Sequence, residues 1–283
     1  MTLSENVVVF GADGQLGREV VKYFPEAIKT NHRNSSPEYL PLDDYHALTE
    51  FLFKHKPGLI INCAAYTAVD GCETDKRMAM AVNGDALKYM ANSARKFGSY
   101  LVHVSTDYVF DGTEGNYNED SMPNPINYYG LSKLVGDTYT RSYENSLIIR
   151  TSGVYGHKGN FPGFIIERLG KNRNANVMKG YYSPIHAENL AHAMSSLIGN
   201  GTKGIANVSG ERISRLDFAR KIAEKFSLDR DLIVPVEKIE NMVASRPFDS
   251  SLNISLSRKI LDFDFFSTAS NLEKLSTSLA QKP

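Results

Sequence analysis

Tryptophan is absent from the 283 residues, cysteine occurs only twice, and 32 Lys and Arg are balanced by 32 Asp and Glu. Each shortage excludes something. Two cysteines, Cys63 and Cys72, cannot build a disulfide framework or supply zinc-finger spacing, and the seven histidines contain no His-x-x-x-His pair, so no metal site is expected. Cys63, beside an apolar run, reads as a small hydrophobe. Zero net charge with scattered charges provides no basic field for nucleic acid or an anionic membrane, and points to small-molecule partners. No apolar run approaches the roughly 18 residues of a membrane span. The start, Met-Thr-Leu-Ser-Glu-Asn, has neither the basic segment nor the apolar stretch of a leader, which gives the expectation of a cytoplasmic protein.

What is present is a strand, a tight turn and a helix at the beginning. Val7-Val-Val-Phe10 runs into Gly11-Ala-Asp-Gly-Gln-Leu-Gly17, and apolar residues then recur at Leu16, Val20, Val21 and Phe24. Gly11 suits the sharp turn, Gly14 lets backbone approach a phosphate, and Gly17 lets the helix pack closely. The helix N-terminus then faces an anion with its free N–H groups and dipole, as for a dinucleotide pyrophosphate. Farther on, apolar runs alternate with helical patterns in the βαβ manner of a parallel sheet. Strands are predicted at 7–10, 27–30, 59–62, 100–104 and 147–150, with helices at about 45–55, 74–96 and 129–143. Past Arg150 the alternation loosens. Helices are expected near Phe164, over 187–198 and over 215–226, the last behind a capping-box-like Ser214-x-x-Asp217, with a strand at 205–208. The fold expected is α/β, a Rossmann-type doubly wound parallel sheet with a smaller α/β substrate-binding lobe. Residues 1–152 would form the dinucleotide-binding part, completed by about 186–210, and 153–283 mainly the lobe.

The chemistry is written in Tyr129-Gly-Leu-Ser-Lys133. On a helix the two side chains lie one turn apart on one face, where an ammonium can stabilise a phenolate and make a tyrosine a usable proton donor to a carbonyl oxygen. An isolated Tyr-x-x-x-Lys would ordinarily be a surface pair. Here it follows a glycine turn and Ser105-Thr-Asp-Tyr108 in one chain.

These motifs together resemble the extended short-chain dehydrogenase/reductase superfamily, and within it the dTDP-4-dehydrorhamnose reductase family. The resemblance is carried by Gly11-x-x-Gly-Gln-Leu-Gly17, Ile61-Asn-Cys-Ala-Ala-Tyr-Thr-Ala-Val-Asp70, Val104-Ser-Thr-Asp-Tyr-Val-Phe-Asp-Gly112, Tyr129-Gly-Leu-Ser-Lys133, Ile149-Arg-Thr-Ser152 and Arg246-Pro-Phe-Asp-Ser-Ser-Leu252, nearly the length of the chain. It implies Tyr129 as general acid, Lys133 as the group that tunes it and holds the nicotinamide ribose, and Thr106 as a hydroxyl on the carbonyl oxygen. It implies Gly11, Gly14, Gln15, Leu16, Asp43, Ala64, Ala65 and Tyr66 around the cofactor. Thr67, Val69, Thr106, Asp107, Tyr108 and Arg246 would surround a nucleotide-sugar substrate, Arg246 as a planar fork for its pyrophosphate. The second strand ends Thr30-Asn-His-Arg33, with no acid for a ribose 2′-hydroxyl. Arg33 instead suits a 2′-phosphate, which favours NADP(H) and leaves NAD(H) use open.

One departure from the pattern concerns the sugar. The reductases read Arg-Thr-Ser-Trp after the fifth strand, whereas this chain has Arg150-Thr-Ser-Gly153. The regulatory β subunit of methionine adenosyltransferase resembles these reductases and also lacks the tryptophan. A non-catalytic NADP-binding subunit is therefore the alternative function, and Tyr129 and Lys133 do not separate the two. The resemblance also leaves room for a homodimer.

Overall fold

The computed structural model describes residues 6–32, 39–157 and 160–280. Its centre is a six-stranded parallel sheet built from β1 (Val7–Phe10), β2 (Ile28–Thr30), β3 (Leu59–Asn62), β4 (Tyr100–Thr106), β5 (Ser146–Thr151) and β10 (Gly204–Asn207), in the spatial order β2-β1-β3-β4-β5-β10. The register pairs Val9 with Ile61, Ile61 with Val102 and Val102 with Leu147. The expected α/β fold with a doubly wound sheet is the one observed.

Strand residues alternate between two cores, which is why these segments read as unbroken apolar runs. Val9, Ile61, Val102 and Ile149 face one side, against α1 (Gly17–Tyr23) and α8 (Ala187–Gly199). Val8, Phe10, Ile60 and Leu101 face the other, against α2 (Tyr45–His55) and α5 (Ala86–Phe97). Each fully buried aliphatic side chain contributes about 1.5–3 kcal/mol. The α2 boundaries follow from local chemistry. Asp44 accepts the Ala47 N–H at 2.9 Å as N-cap, and Lys56 ends the helix in the left-handed region before Pro57-Gly58.

The helix expected over 74–96 is several pieces. These are α3 (Val69–Thr74), α4 (Lys76–Met80), a π-turn (Ala81–Asp85) and α5. Asp75 breaks the run by capping α4 through the Met78 N–H at 2.9 Å. The wide π-turn turns buried Asn83 toward the chain after β3, the kind of bulge that recurs at functional sites. The chain then continues through β4 to α6 (Tyr128–Arg141).

After β5 come β6 (Val154–Tyr155), α7 (Phe161–Gly170), β7 (Ala175–Met178), β8 (Tyr181–Tyr182) and β9 (Ile185–His186). Beyond β10 follow β11 (Ile213–Ser214), α9 (Arg215–Lys225), β12 (Ile233–Val236), α10 (Ser255–Ile260) and α11 (Thr268–Ala280). The two-stranded pairs β6-β9, β7-β12 and β8-β11 were not foreseen, being too short to show a period. A third core gathers Tyr155, Ile165, Val177, Phe218, Ile222 and Leu272 from β6, α7, β7, α9 and α11. At α9, Ser214 accepts the Asp217 N–H at 3.0 Å, but Asp217 takes the Ser214 hydroxyl at 2.6 Å. An Asp thus forms half a capping box and closes it onto the cap's own side chain.

Candidate active site

The strand order reverses at β1 and β3, and a crevice opens beyond the carboxyl ends of the strands there. It is a cleft of about 1010 Å³. Gly11, Gly14, Gln15 and Leu16 line it from the β1–α1 turn, Asp43 from the approach to α2, and Ala64, Ala65, Tyr66, Thr67 and Val69 from the segment after β3. Thr106, Asp107 and Tyr108 line it from the end of β4, and Tyr129 and Lys133 from α6. The turn is closed by Gly14 N–H donating to the Gly11 carbonyl at 3.0 Å. A Cβ on Gly17 would stand 2.0 Å from that same carbonyl oxygen, so only glycine lets α1 start against the turn.

Arg33 lies outside the described residues. Arg246 does not line the cleft: its Nη2 donates to Asp70 Oδ2 at 2.9 Å and its Nη1 to the Ala244 carbonyl at 2.9 Å. Asp70 also accepts the Val243 and Ala244 amides, so this pair clamps the 243–246 segment beside α3. Burial pushes Asp70 up, but the Ala244 amide and the Arg246 guanidinium outweigh it, and its pKa falls below the ordinary value.

The three residues expected to be catalytic, Thr106, Tyr129 and Lys133, line this one cleft. Asn127 caps α6 by accepting the Gly130 N–H at 2.8 Å, which starts the helix at Tyr128 and places Tyr129 in its first turn. Tyr129 and Thr106 line the cleft together, from α6 and from the end of β4. Thr106 donates to Asp107 Oδ1 at 3.1 Å and accepts the Tyr108 N–H at 3.2 Å. The threonine therefore caps the turn after β4. Burial is the main influence on Tyr129 and raises its pKa, which keeps the proton on the phenol at neutral pH.

Lys133 is 1% exposed, its ammonium donating to the Val104 carbonyl at 2.7 Å and lying 3.2 Å from His103 Nε2. Burial lowers its pKa to about 8, against the smaller opposing pull of Asp137 and Cys63. The lysine's hydrogen-bonding neighbours lie on β4.

Several residues that hold this site have no role assigned from the sequence, although Asn62, Ser152 and Ser250 sit within its motifs. Asn62 accepts the Ala64 N–H with Oδ1 at 3.1 Å, which leaves its Nδ2 3.2 Å from His103 Nδ1. Burial holds His103 well below its ordinary pKa, and it stays neutral. Asn83 binds both backbone groups of Tyr66, at 2.8 and 3.0 Å, and also donates to Ser132 on α6 at 3.1 Å. Ser152 and Ser250 donate to Asp107 Oδ2 at 2.7 and 2.6 Å. Burial still leaves the Asp107 pKa raised. Long-range pairings of this kind leave no periodic trace in a sequence.

The description "RmlD substrate binding domain" matches residues 5–280. The chain belongs to this family. Among solved structures, a hypothetical dTDP-4-dehydrorhamnose reductase from Sulfolobus tokodaii is 44% identical, with TM-score 0.88 over 92% of this chain and 96% of its own. A dTDP-4-dehydrorhamnose reductase from Bacillus anthracis, solved in complex with NADP, is 28% identical with TM-score 0.87, over 96% of this chain and 99% of its own. Two other RmlD-like relatives differ in role. A probable low-salt glycan biosynthesis reductase of Haloferax volcanii is 34% identical over 87% of this chain and 89% of its own length. The methionine adenosyltransferase 2 subunit beta of Bos taurus is 29% identical over 89% and 81%. The RmlD family gives this chain an oxidoreductase fold. Among the described residues, no group of three or more His, Cys, Asp or Glu could hold a metal ion, and no helix is long and apolar enough to cross a membrane.

Proposed function

We propose that the chain is an NADP(H)-dependent reductase of the 4-keto group of a nucleotide-linked deoxysugar, with dTDP-4-dehydro-L-rhamnose going to dTDP-L-rhamnose as the first candidate reaction. The observation that carries the reading is the convergence of Thr106, Tyr129 and Lys133 on one cleft, with Lys133 one helical turn from Tyr129 on α6. Gly11 and Gly14, which add no side chains to the turn, fit a dinucleotide pyrophosphate, and Ala64 and Ala65 offer small surfaces beside it. A reduced nicotinamide dinucleotide bound there supplies the hydride. Asn31 and His32 line the cleft at the end of β2, and the run Thr30-Asn-His-Arg33 holds no acid to favour a 2′-hydroxyl. Together with Arg33 and the NADP-bound relative this supports NADP(H), with NAD(H) as a weaker substitute.

Thr106 hydrogen-bonds the substrate carbonyl oxygen more strongly as charge develops on it. Tyr129 then delivers its proton. The raised pKa does not prevent this, because the alkoxide formed is more basic than a phenolate. Lys133 adds a positive charge that stabilises the phenolate left behind and, through its fixed position on Val104, a donor for the cofactor ribose.

The second reading is a non-catalytic NADP-binding regulatory subunit, favoured by the likeness to methionine adenosyltransferase 2 subunit beta and by Gly153. The two are separated by mixing the protein with NADPH and 4-keto-6-deoxy nucleotide sugars. Loss of NADPH absorbance supports the reductase. No loss with any sugar, together with co-purification of a methionine adenosyltransferase catalytic subunit, would sink it.

A further inference from the structure

Gly153 follows β5 directly and lines the cleft with φ +47°. A Cβ built there would lie 2.8 Å from Cε2 and 3.0 Å from Cδ2 of Tyr182, closer than side chains approach. The Tyr182 ring therefore stands in the space that a side chain at 153 would need. It reaches that space from β8, which pairs antiparallel with β11 immediately before α9. Its position is fixed by edge-on contacts to Phe161 at 6.2 Å and Phe218 at 6.0 Å, and by the Arg215 guanidinium 5.4 Å from the ring centre. Arg215 is itself pinned by the Lys179 carbonyl at 3.2 Å and the Pro247 carbonyl at 3.3 Å, and it lines the cleft with Tyr108.

Tyr182 also has a polar end with nothing to do. It is 9% exposed, and its hydroxyl is enclosed with no hydrogen-bond partner among the described residues, although it borders the cleft beside Tyr108 and Arg215. A buried donor is seldom left unmatched unless a ligand completes it. A rigid ring with one hydroxyl at its rim is suited to a deoxysugar, which presents an apolar face edged by hydroxyl groups.

Resting on the reductase reading above, we propose that Tyr182 is the specificity-determining residue at the sugar end of the cleft. Its ring forms the wall that residue 153 does not provide, and its hydroxyl pairs with a hydroxyl of the sugar. The wall and residue 153 are alternatives for one space, so they are expected to couple.

The test measures NADPH oxidation with a panel of nucleotide sugars, and calorimetric binding of dTDP-L-rhamnose, for wild type and four variants. Tyr182→Phe keeps the wall and removes the hydroxyl. It is expected to lower kcat/KM about ten- to a hundredfold, mostly through KM, with NADPH affinity unchanged. Gly153→Trp alone is expected to abolish sugar binding, because two rings then compete. Tyr182→Gly is expected to bind sugar weakly, and Tyr182→Gly with Gly153→Trp to recover at least tenfold over either single change. NADPH affinity serves as the check that each variant is folded. Wild-type turnover with an unchanged KM in Tyr182→Phe, or no recovery in the folded double variant, overturns the role of Tyr182 and leaves the reductase reading standing. A wild type that turns over no sugar overturns the reductase reading instead. Calorimetry then still decides Tyr182, since a titration in which Tyr182→Phe matches wild type, or in which wild type binds no sugar, rejects its role.

Discussion

At the scale of single residues, Tyr129 and Lys133 make different demands. Tyr129→Phe keeps the ring and removes the proton, so turnover should fall roughly 10²–10⁴-fold while NADPH still binds, as read by fluorescence titration and steady-state rates. Unchanged turnover would show that another group protonates the substrate. Lys133 sets an alkaline limit, because its pKa is lowered to about 8 from an ordinary 10.5. Catalysis that needs the ammonium should decline as pH rises through about 8, and kcat/KM measured over that range checks it. Stability moves the other way. The folded chain gives up this proton before the unfolded chain does, so between about 8 and 10.5 the unfolded state binds more protons and this group's contribution to stability rises with pH. Below 8 the full cost of burying an ammonium is present. Lys133→Met should abolish both trends, which thermal melts across the same range would reveal.

At the scale of elements, the β1–α1 turn and the Asp70 clamp are the joints to test. A Cβ at position 17 cannot coexist with the Gly11 carbonyl at 2.0 Å, so Gly17→Ala must tilt α1 or open the turn. Dinucleotide affinity should drop at least tenfold, and calorimetry that finds it intact would separate the turn from cofactor binding. Asp70→Asn should loosen the 243–246 segment, since it weakens one charged acceptor shared by two amides and a guanidinium. Hydrogen exchange should speed up at Val243 and Ala244 but not in β4. Most elements were legible at this scale. The α2 span and the β3 span agree with expectation residue for residue, because a cap, a Pro-Gly break and an apolar run mark them. The 74–96 helix did not, because the π-turn exists to aim Asn83 at Tyr66, a contact no local pattern records.

At the scale of the whole molecule, cofactor and fold are coupled by mass action. NADPH at a hundred times its dissociation constant should stabilise the protein by about 2.7 kcal/mol, and NADH at the same concentration by less. Differential scanning fluorimetry shows the order directly. Arg33→Ala should narrow the difference about ten- to a hundredfold in affinity ratio, the scale of a lost charged hydrogen bond. An equal loss for both dinucleotides would assign Arg33 to support of its loop.

The sequence by itself determined the parallel sheet, the place of the cleft at its carboxyl edge, and the residue types around it, because strand periodicity, glycine turns and the Tyr-x-x-x-Lys spacing are local and survive in one dimension. Only the tertiary structure decided that Lys133 leans on His103 and Val104, that Asp107 is held by serines from two distant segments, that Arg246 is committed to Asp70 while Arg215 borders the cleft, and that Tyr182 takes the room left by Gly153. These are contacts between residues far apart along the chain. Their energies arise from burial and directional hydrogen bonds that exist only after the sheet, the helices and the smaller core have packed.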